Sequence, residues 1–481
     1  MHFSRFSTAV VATVVTLALL FQLTMPTSGE TRGSTSAIDR VKAIIDALSK
    51  GDPANYEVVA RENFAPAFFA ARTTERRAAF LQQLHGDFGT LKIVKLEQVD
   101  SEVFADVVGE RGPRALMTFT IEPSAVQMIV GVNVELGGGN RDRGELQIPP
   151  PPITASMSAR DMTDALNRWL QPILTHDDFA GVLMVAKDGV PFVWKAYGLS
   201  DRERNKQADN NTAYNIASIG KKFTQAAIAR LIQDGRLKLS TTVGSVIPNY
   251  PNADGRLATV EQLVSMQGGI SDFFGPDFER APKSKFASNH AYFEFVSALP
   301  QMFKPGSSTE YCNGCYVVLG EMIERTSGIP FEEFVARNVF APAGMKRSGY
   351  FHSTNLPMNT AYGYTRENGP GSNYVNAAKL HGVAGSGAGG VYSTPIDLLS
   401  FDNALRNGVL LGPDMTAWVL GGKASGKRND TEGGFAGGAP GVSALLESGG
   451  KWTVIVTSNV DQPLPARLGL EIIKALRQST R

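Results

Sequence analysis

Metal-ligand spacing is what this chain most plainly lacks. Its two cysteines stand together at Cys312 and Cys315, and its six histidines are scattered with no H-E-x-x-H run, so no metal site is expected. Charge of one sign is also missing: 47 Lys and Arg face 46 Asp and Glu, a net +1, which gives no support for a nucleic-acid partner. No G-x-S-x-G elbow occurs, which argues against the α/β-hydrolase route to serine chemistry. Two nucleotide-loop patterns fail on inspection. Residues 421–427 fit G-x-x-x-x-G-K, but Arg428 replaces the Ser or Thr that would hold magnesium; residues 385–390 fit G-x-G-x-x-G without the strand and downstream acid of a dinucleotide site. No cofactor is therefore expected.

What is present begins with an export signature. Arg5 precedes an almost wholly apolar run over residues 9–21, followed by Pro26, Thr27, Ser28 and Gly29: basic, then apolar, then small and polar. Residues 1–29 read as a signal peptide and the protein as exported, periplasmic or secreted. An uncleaved anchor over residues 6–23 is the competing reading, and the only membrane contact expected. Residues 37–136 read as a small α+β domain. Ile38, Val41, Ile44, Ile45 and Leu48 recur at helical spacing, as do Phe80, Leu81 and Leu84, and then 91–99, 103–108, 114–121 and 126–136 read as strands. Residues 137–157 carry three consecutive glycines and four consecutive prolines, a hinge followed by a stiff spacer, so a boundary falls there and a second domain spans 158–481.

In that second domain the informative stretch is Ile216-Ala217-Ser218-Ile219-Gly220-Lys221-Lys222-Phe223-Thr224. Ser218 and Lys221 stand three apart at the start of a helix running to about Asp234, which places both side chains on one face. A serine hydroxyl needs a base to become a nucleophile, and a lysine of lowered pKa can be that base. A solvated surface helix start is the plain alternative. Strands at 179–186 and 191–197 and a hairpin at 443–458 lie at opposite ends of the domain, with a mostly helical middle between. One sheet built from both ends would bring the Ser218 helix to a cleft between sheet and helices.

The context decides for the nucleophile. Phe303-Lys304-Pro305-Gly306 leading into Tyr311-Cys312-Asn313, Pro342-Ala343-Gly344-Met345, and the run from Gly389 through Tyr392 to Leu398 accompany Ser218-x-x-Lys221. With these four stretches the chain from about 159 to 476 resembles the serine β-lactamase-related hydrolases: class C β-lactamases, D-Ala-D-Ala carboxypeptidases and esterases of the same fold. The resemblance implies an α/β (α+β) serine β-lactamase-like transpeptidase fold, antiparallel sheet plus helical subdomain. The small domain before it resembles the cone-shaped domains of the nuclear transport factor type. The resemblance further implies that Ser218 carries the acyl group, that Lys221 helps remove its proton, and that Tyr311 passes a proton to the leaving group. Asn313 would hydrogen-bond substrate or Lys221, and the N–H groups of Gly438 and Ser218 would form the oxyanion hole.

Two stretches depart from the family pattern. Gly434-Phe435-Ala436-Gly437-Gly438 stands where Lys-Thr-Gly or His-x-Gly is expected, so Phe435 replaces a cation or imidazole while Gly437 and Gly438 keep a bare backbone. Ser265-Met266-Gln267-Gly268-Gly269 stands where relatives often show His-Thr-Ser-Gly. The expected function is a serine hydrolase acting on ester, amide or β-lactam-type acyl substrates, an esterase or D-amino-acid peptidase rather than a true β-lactamase. Its partner would be a small acyl substrate or a cell-wall peptide. The rival is a catalytically weak penicillin-binding-like or peptidoglycan-sensing protein. Cys312 and Cys315 bracket Asn313: a redox-sensitive loop, a static local disulfide and two small buried residues are the readings open to them.

Overall fold

A computed structural model describes residues 35–136, apart from positions scattered within 71–87 and at 100, 111–113 and 125, together with 148–366, 372–421 and 433–479. The expected leader at 1–29, residues 137–147 of the expected linker, residues 422–427 of the G-x-x-x-x-G-K stretch and much of the expected helix at 74–85 lie outside them. Contacts divide the chain into two units: Met1–Gln147 with Ser308–Tyr311, and Ile148–Ser307 with Cys312–Arg481.

The first unit opens with helices α1 (Ala37–Lys50), α2 (Pro53–Asn63) and α3 (Pro66–Ala70) and continues in strands β1 (Leu91–Val99), β2 (Glu102–Gly109), β3 (Arg114–Ile121) and β4 (Ile129–Leu136). The four strands form an antiparallel sheet in sequence order. Ser36 caps α1 by accepting from the Asp39 N–H at 3.2 Å, and Gly51 ends it in the left-handed region at φ 64°. Val41, Ile44, Ile45 and Leu48 lie on one face of α1 and share a buried core with alternate strand residues Val103, Ala105 and Val107.

The second unit contains α4 (Ala159–Thr175), β5 (Gly181–Lys187), β6 (Val190–Tyr197), α5 (Gly220–Gln233), α6 (Asn289–Ser297), α7 (Asn313–Ser327), α8 (Pro395–Arg406), β7 (Gly433–Ala439), β8 (Val442–Gly449), β9 (Trp452–Ser458) and α9 (Leu464–Gln478), among shorter elements. Its five-stranded sheet has the order β7-β8-β9-β5-β6, every pair antiparallel. Both ends of the unit thus contribute to one sheet. The sheet is buried on both faces, and the period of two sorts its side chains. Leu183 and Val185 of β5 enter a core with Leu166 and Leu170 of α4 and Leu468 and Ile472 of α9, whereas Met184 and Ala186 enter the core that holds α5. Phe223 anchors α5 there, fully buried, with its ring edge-on to Phe340 and Phe401 at 5.1 and 4.8 Å.

The nucleophile segment departs from a simple helix start. Ala217–Ile219 form a 3-10 turn, and the α-helix begins only at Gly220. Ala217 sits at φ 44°, a left-handed conformation that disfavours a residue with a Cβ. Neighbours hold it there. Its N–H donates to Asn215 Oδ1 at 2.9 Å, the Ile216 N–H donates to the Val391 carbonyl at 3.0 Å, and Tyr214–Asn215 pair with Tyr392–Ser393.

Candidate active site

The bend at Ala217 delivers Ser218, half-buried, to the wall of a cavity of about 120 Å³. Two glycines make room for it. A Cβ on Gly437 of the edge strand β7 would stand 2.3 Å from the Ile216 carbonyl oxygen and 2.8 Å from the Ser218 nitrogen. A Cβ on Gly389, at φ 140°, would stand 2.4 Å from the Ala217 carbonyl oxygen. The bare backbone read from the sequence at 437 therefore serves close approach to the serine. Gly438 and Ala439 of the same strand line the cavity.

Lys221 is buried one turn on, and its Nζ donates to Ser218 Oγ at 3.0 Å, to Asn313 Oδ1 at 2.7 Å and to the Ala388 carbonyl at 2.6 Å. The Tyr316 ring centroid lies 5.6 Å from the same nitrogen. An ammonium has three donors in tetrahedral array. Two of them are held by Asn313 and Ala388, so the third position points at Ser218, whether it carries a proton or, in the neutral amine, a lone pair.

Asn313 is the first residue of α7, and the Cys312–Cys315 disulfide straddles it. Both sulfurs are buried, and Cys312 Sγ also accepts from the Cys315 N–H at 3.0 Å, capping the helix. Of the three readings of this pair, the local disulfide is the one the geometry presents. Asn313 Nδ2 donates to Asp272 Oδ2 at 2.8 Å, which fixes the amide with its oxygen toward Lys221. Asp272 Oδ1 accepts from the Phe274 N–H at 3.0 Å. Burial raises the Asp272 pKa, against the opposing pull of the Phe274 N–H, of Asn313 and of the Lys221 charge. No sequence pattern marks Asp272, since its partner lies 41 residues away; nor does any pattern mark the Ala388 carbonyl.

Tyr311 directly precedes this group in the chain. It is 45% exposed and belongs to Ser308–Tyr311, the segment grouped with the first unit. Ser218, Lys221 and Asn313 are thus brought together by direct hydrogen bonds, and Gly437 and Gly438 lie beside them. Phe435 packs into the core on the α5 side of the sheet. Lys222 Nζ stands 4.6 Å from its ring centroid and also donates to Gln225 Oε1 and the Val419 carbonyl, each at 3.0 Å. Burial pushes the Lys222 pKa down to about 8. The ring at the third-motif position therefore covers a cation supplied by the nucleophile helix.

The second unit is thus an antiparallel sheet flanked by helices, with a serine and a buried lysine hydrogen-bonded at the wall of a cleft. The chain belongs to the Beta-lactamase family, whose model matches residues 166–460. Members of that family are mostly serine hydrolases. A penicillin-binding protein of Bacillus subtilis is 27% identical over 242 residues, which cover 47% of this chain and 52% of that protein. The chain spans between about half and three fifths of the length of the first curated relatives it matches. Among solved structures, a penicillin binding protein from Bacillus halodurans superposes with a TM-score of 0.56 at 26% identity, over 64% of this chain and 99% of that one. A D-amino acid amidase from Ochrobactrum anthropi shares the fold with a TM-score of 0.53 at 21% identity, over 66% of this chain and 99% of that one.

Proposed function

We propose that the chain is a serine hydrolase that forms an acyl-enzyme at Ser218 and acts on uncharged esters or amides rather than on carboxylate-bearing lactams. The observation that carries the reading is the 3.0 Å bond between Lys221 Nζ and Ser218 Oγ, with Asn313 and Ala388 holding the other two positions of the nitrogen. Ser218 Oγ attacks the acyl carbon as Lys221 helps remove its proton, and the oxyanion collects the N–H groups of Ser218 and Gly438. Collapse expels the leaving group, which takes up a proton. That hand-over is assigned to Tyr311, as the motif implies. Water then attacks the ester on Ser218 and releases the acid.

The preference for uncharged substrates is supported by the cavity wall: its described residues include no Lys, Arg, Asp or Glu, and Phe435 points away from it into the core. The same features sustain a second reading, a protein that binds acyl ligands in this cleft with little turnover. Steady-state hydrolysis of p-nitrophenyl esters and a chromogenic cephalosporin, with intact-mass detection of adducts, separates the two. Ester turnover should exceed lactam turnover and fall about a thousandfold or more in Ser218→Ala. An adduct formed once without turnover would favour the binding protein, and neither adduct nor turnover in folded protein would sink the nucleophile.

A further inference from the structure

We infer that Phe273, Phe274 and Phe278, on the wall of the Ser218 cavity, form a subsite for one uncharged aromatic ring of the substrate. The inference rests on the proposed hydrolase reading and adds the chemical class of a group that the cleft selects. Phe274 is 50% exposed, whereas Phe273 and Phe278 beneath it are 7% and 2% exposed. A large ring left this open beside buried neighbours presents an apolar face to whatever enters the cavity. It is held firmly. Its centroid lies 4.4 Å from that of Phe273 and 5.5 Å, edge-on, from that of Phe278, and its backbone N–H is bound to Asp272 Oδ1.

The same carboxylate holds Asn313 and, through it, Lys221. The loop whose carboxylate orders the lysine's partner thus also anchors the backbone of Phe274. A preorganised ring loses little freedom on binding, and an aromatic pair gains beyond area burial.

Size and charge select the occupant. An apolar cavity of about 150 Å³ suffices for benzene, so the space of about 120 Å³ here is on the scale of one ring rather than of a long chain. Its described lining residues include no Lys, Arg, Asp or Glu to form an ion pair with a charged ring substituent. The Tyr292 hydroxyl is engaged by the Ala384 carbonyl at 3.2 Å. His381, the one ionisable side chain of ordinary near-neutral pKa on the wall, is drawn toward its neutral form by burial, with Nε2 2.8 Å from the Pro440 carbonyl.

The test separates this subsite from catalysis by using the full chain with Ser218→Ala as host. Phenylacetamide, acetamide and 4-carboxyphenylacetamide are titrated by NMR into that protein and into the same protein carrying Phe274→Ala or Phe274→Leu. Phenylacetamide should bind at least tenfold more tightly than acetamide or the carboxylated ring. Phe274→Ala should weaken it about fivefold, and Phe274→Leu less. Equal affinity for ring and no ring, preference for the carboxylate, or indifference to Phe274→Ala would each overturn the subsite. Turnover by the parent protein is read separately. Ring binding without ester hydrolysis would support the subsite and sink the hydrolase, whereas hydrolysis without ring preference would sink the subsite alone.

Discussion

Asp272 decides which way Asn313 faces, and Asn313 decides what Lys221 Nζ can do. One carboxylate oxygen accepts from Asn313 Nδ2 and the other from the Phe274 N–H. An asparagine at 272 offers only one acceptor, so one of those donors meets an amide N–H₂ instead. If Asn313 turns to escape it, a donor faces Lys221 where an acceptor stood. A hydrogen bond to a charged group is worth about 1.5–3 kcal/mol, so Asp272→Asn should lower kcat on a p-nitrophenyl ester about tenfold to a hundredfold. KM should rise as well, because the Phe274 N–H that Asp272 Oδ1 holds belongs to the proposed ring subsite. An unchanged kcat in a protein of unchanged Tm would remove Asp272 from the positioning chain. At this scale the sequence is eloquent about Ser218, Lys221 and Asn313 and silent about Asp272. The first set forms short local patterns; the last is meaningful only once two distant segments meet. The left-handed Ala217 was illegible for the same reason: its φ is imposed by Asn215, Val391 and Gly389, not by its own preference.

Between single residues and the whole chain, the elements were legible where the apolar pattern is clear. Helix α1 and the strands β5, β6, β8 and β9 fall close to their expected places: α1 has one apolar face at helical spacing, and the central strands, buried on both faces, are short apolar runs bounded by turns. The two-residue pairing of Tyr214–Asn215 with Tyr392–Ser393 has no such signal, being too short to show alternation. The packing of α6 on α7 carries a pH dependence that follows from its charges. His290 of α6 meets Glu321 Oε2 of α7 at 2.9 Å, and Arg325 takes the other oxygen at 2.8 Å. Burial, with Glu321 and Glu332 nearby, pushes Glu324 up to about 7 against the pull of the Phe331 N–H. A carboxyl whose folded pKa exceeds its ordinary 4.5 contributes stability that is fully present below about 4.5 and lost as pH rises through about 7. Glutamine at 324 keeps the acceptor for Phe331 and abolishes the charge. With solvent screening of a partly exposed group, Glu324→Gln should be more stable than the parent by about 1 kcal/mol at pH 8 and nearly equal near pH 4.5. Thermal melts across that range check it, and a difference independent of pH would show that the Glu324 charge does not weigh on folding.

For the molecule as a whole, contacts divide the chain between Gln147 and Ile148, with one exception at Ser308–Tyr311. That exception had no sequence signal, since a four-residue return of chain leaves no periodic trace. The first unit lies ahead of the family match, which begins at residue 166, and has its own core, whereas Ile148, Ile153 and Met162, also ahead of it, pack with the second unit. Among the described residues, the buried members of the first unit's core run from Ala37 to Ile129, and those of the largest core of the second from Met184 onward. Phe119 and Phe223 sit fully buried in one and the other, sharing no neighbour in these clusters. Truncating a buried Phe to Ala costs about 3–5 kcal/mol, and effects at sites without shared partners add. Calorimetry of the full chain should therefore resolve two transitions: Phe119→Ala should lower one, Phe223→Ala the other, and the double variant both. Ester hydrolysis should be lost with the transition that Phe223→Ala moves, because Phe223 lies in the helix that carries Lys221. A single transition lowered by either substitution would mean that the two cores melt as one cooperative body, and that the added domain stabilises the fold of the site itself.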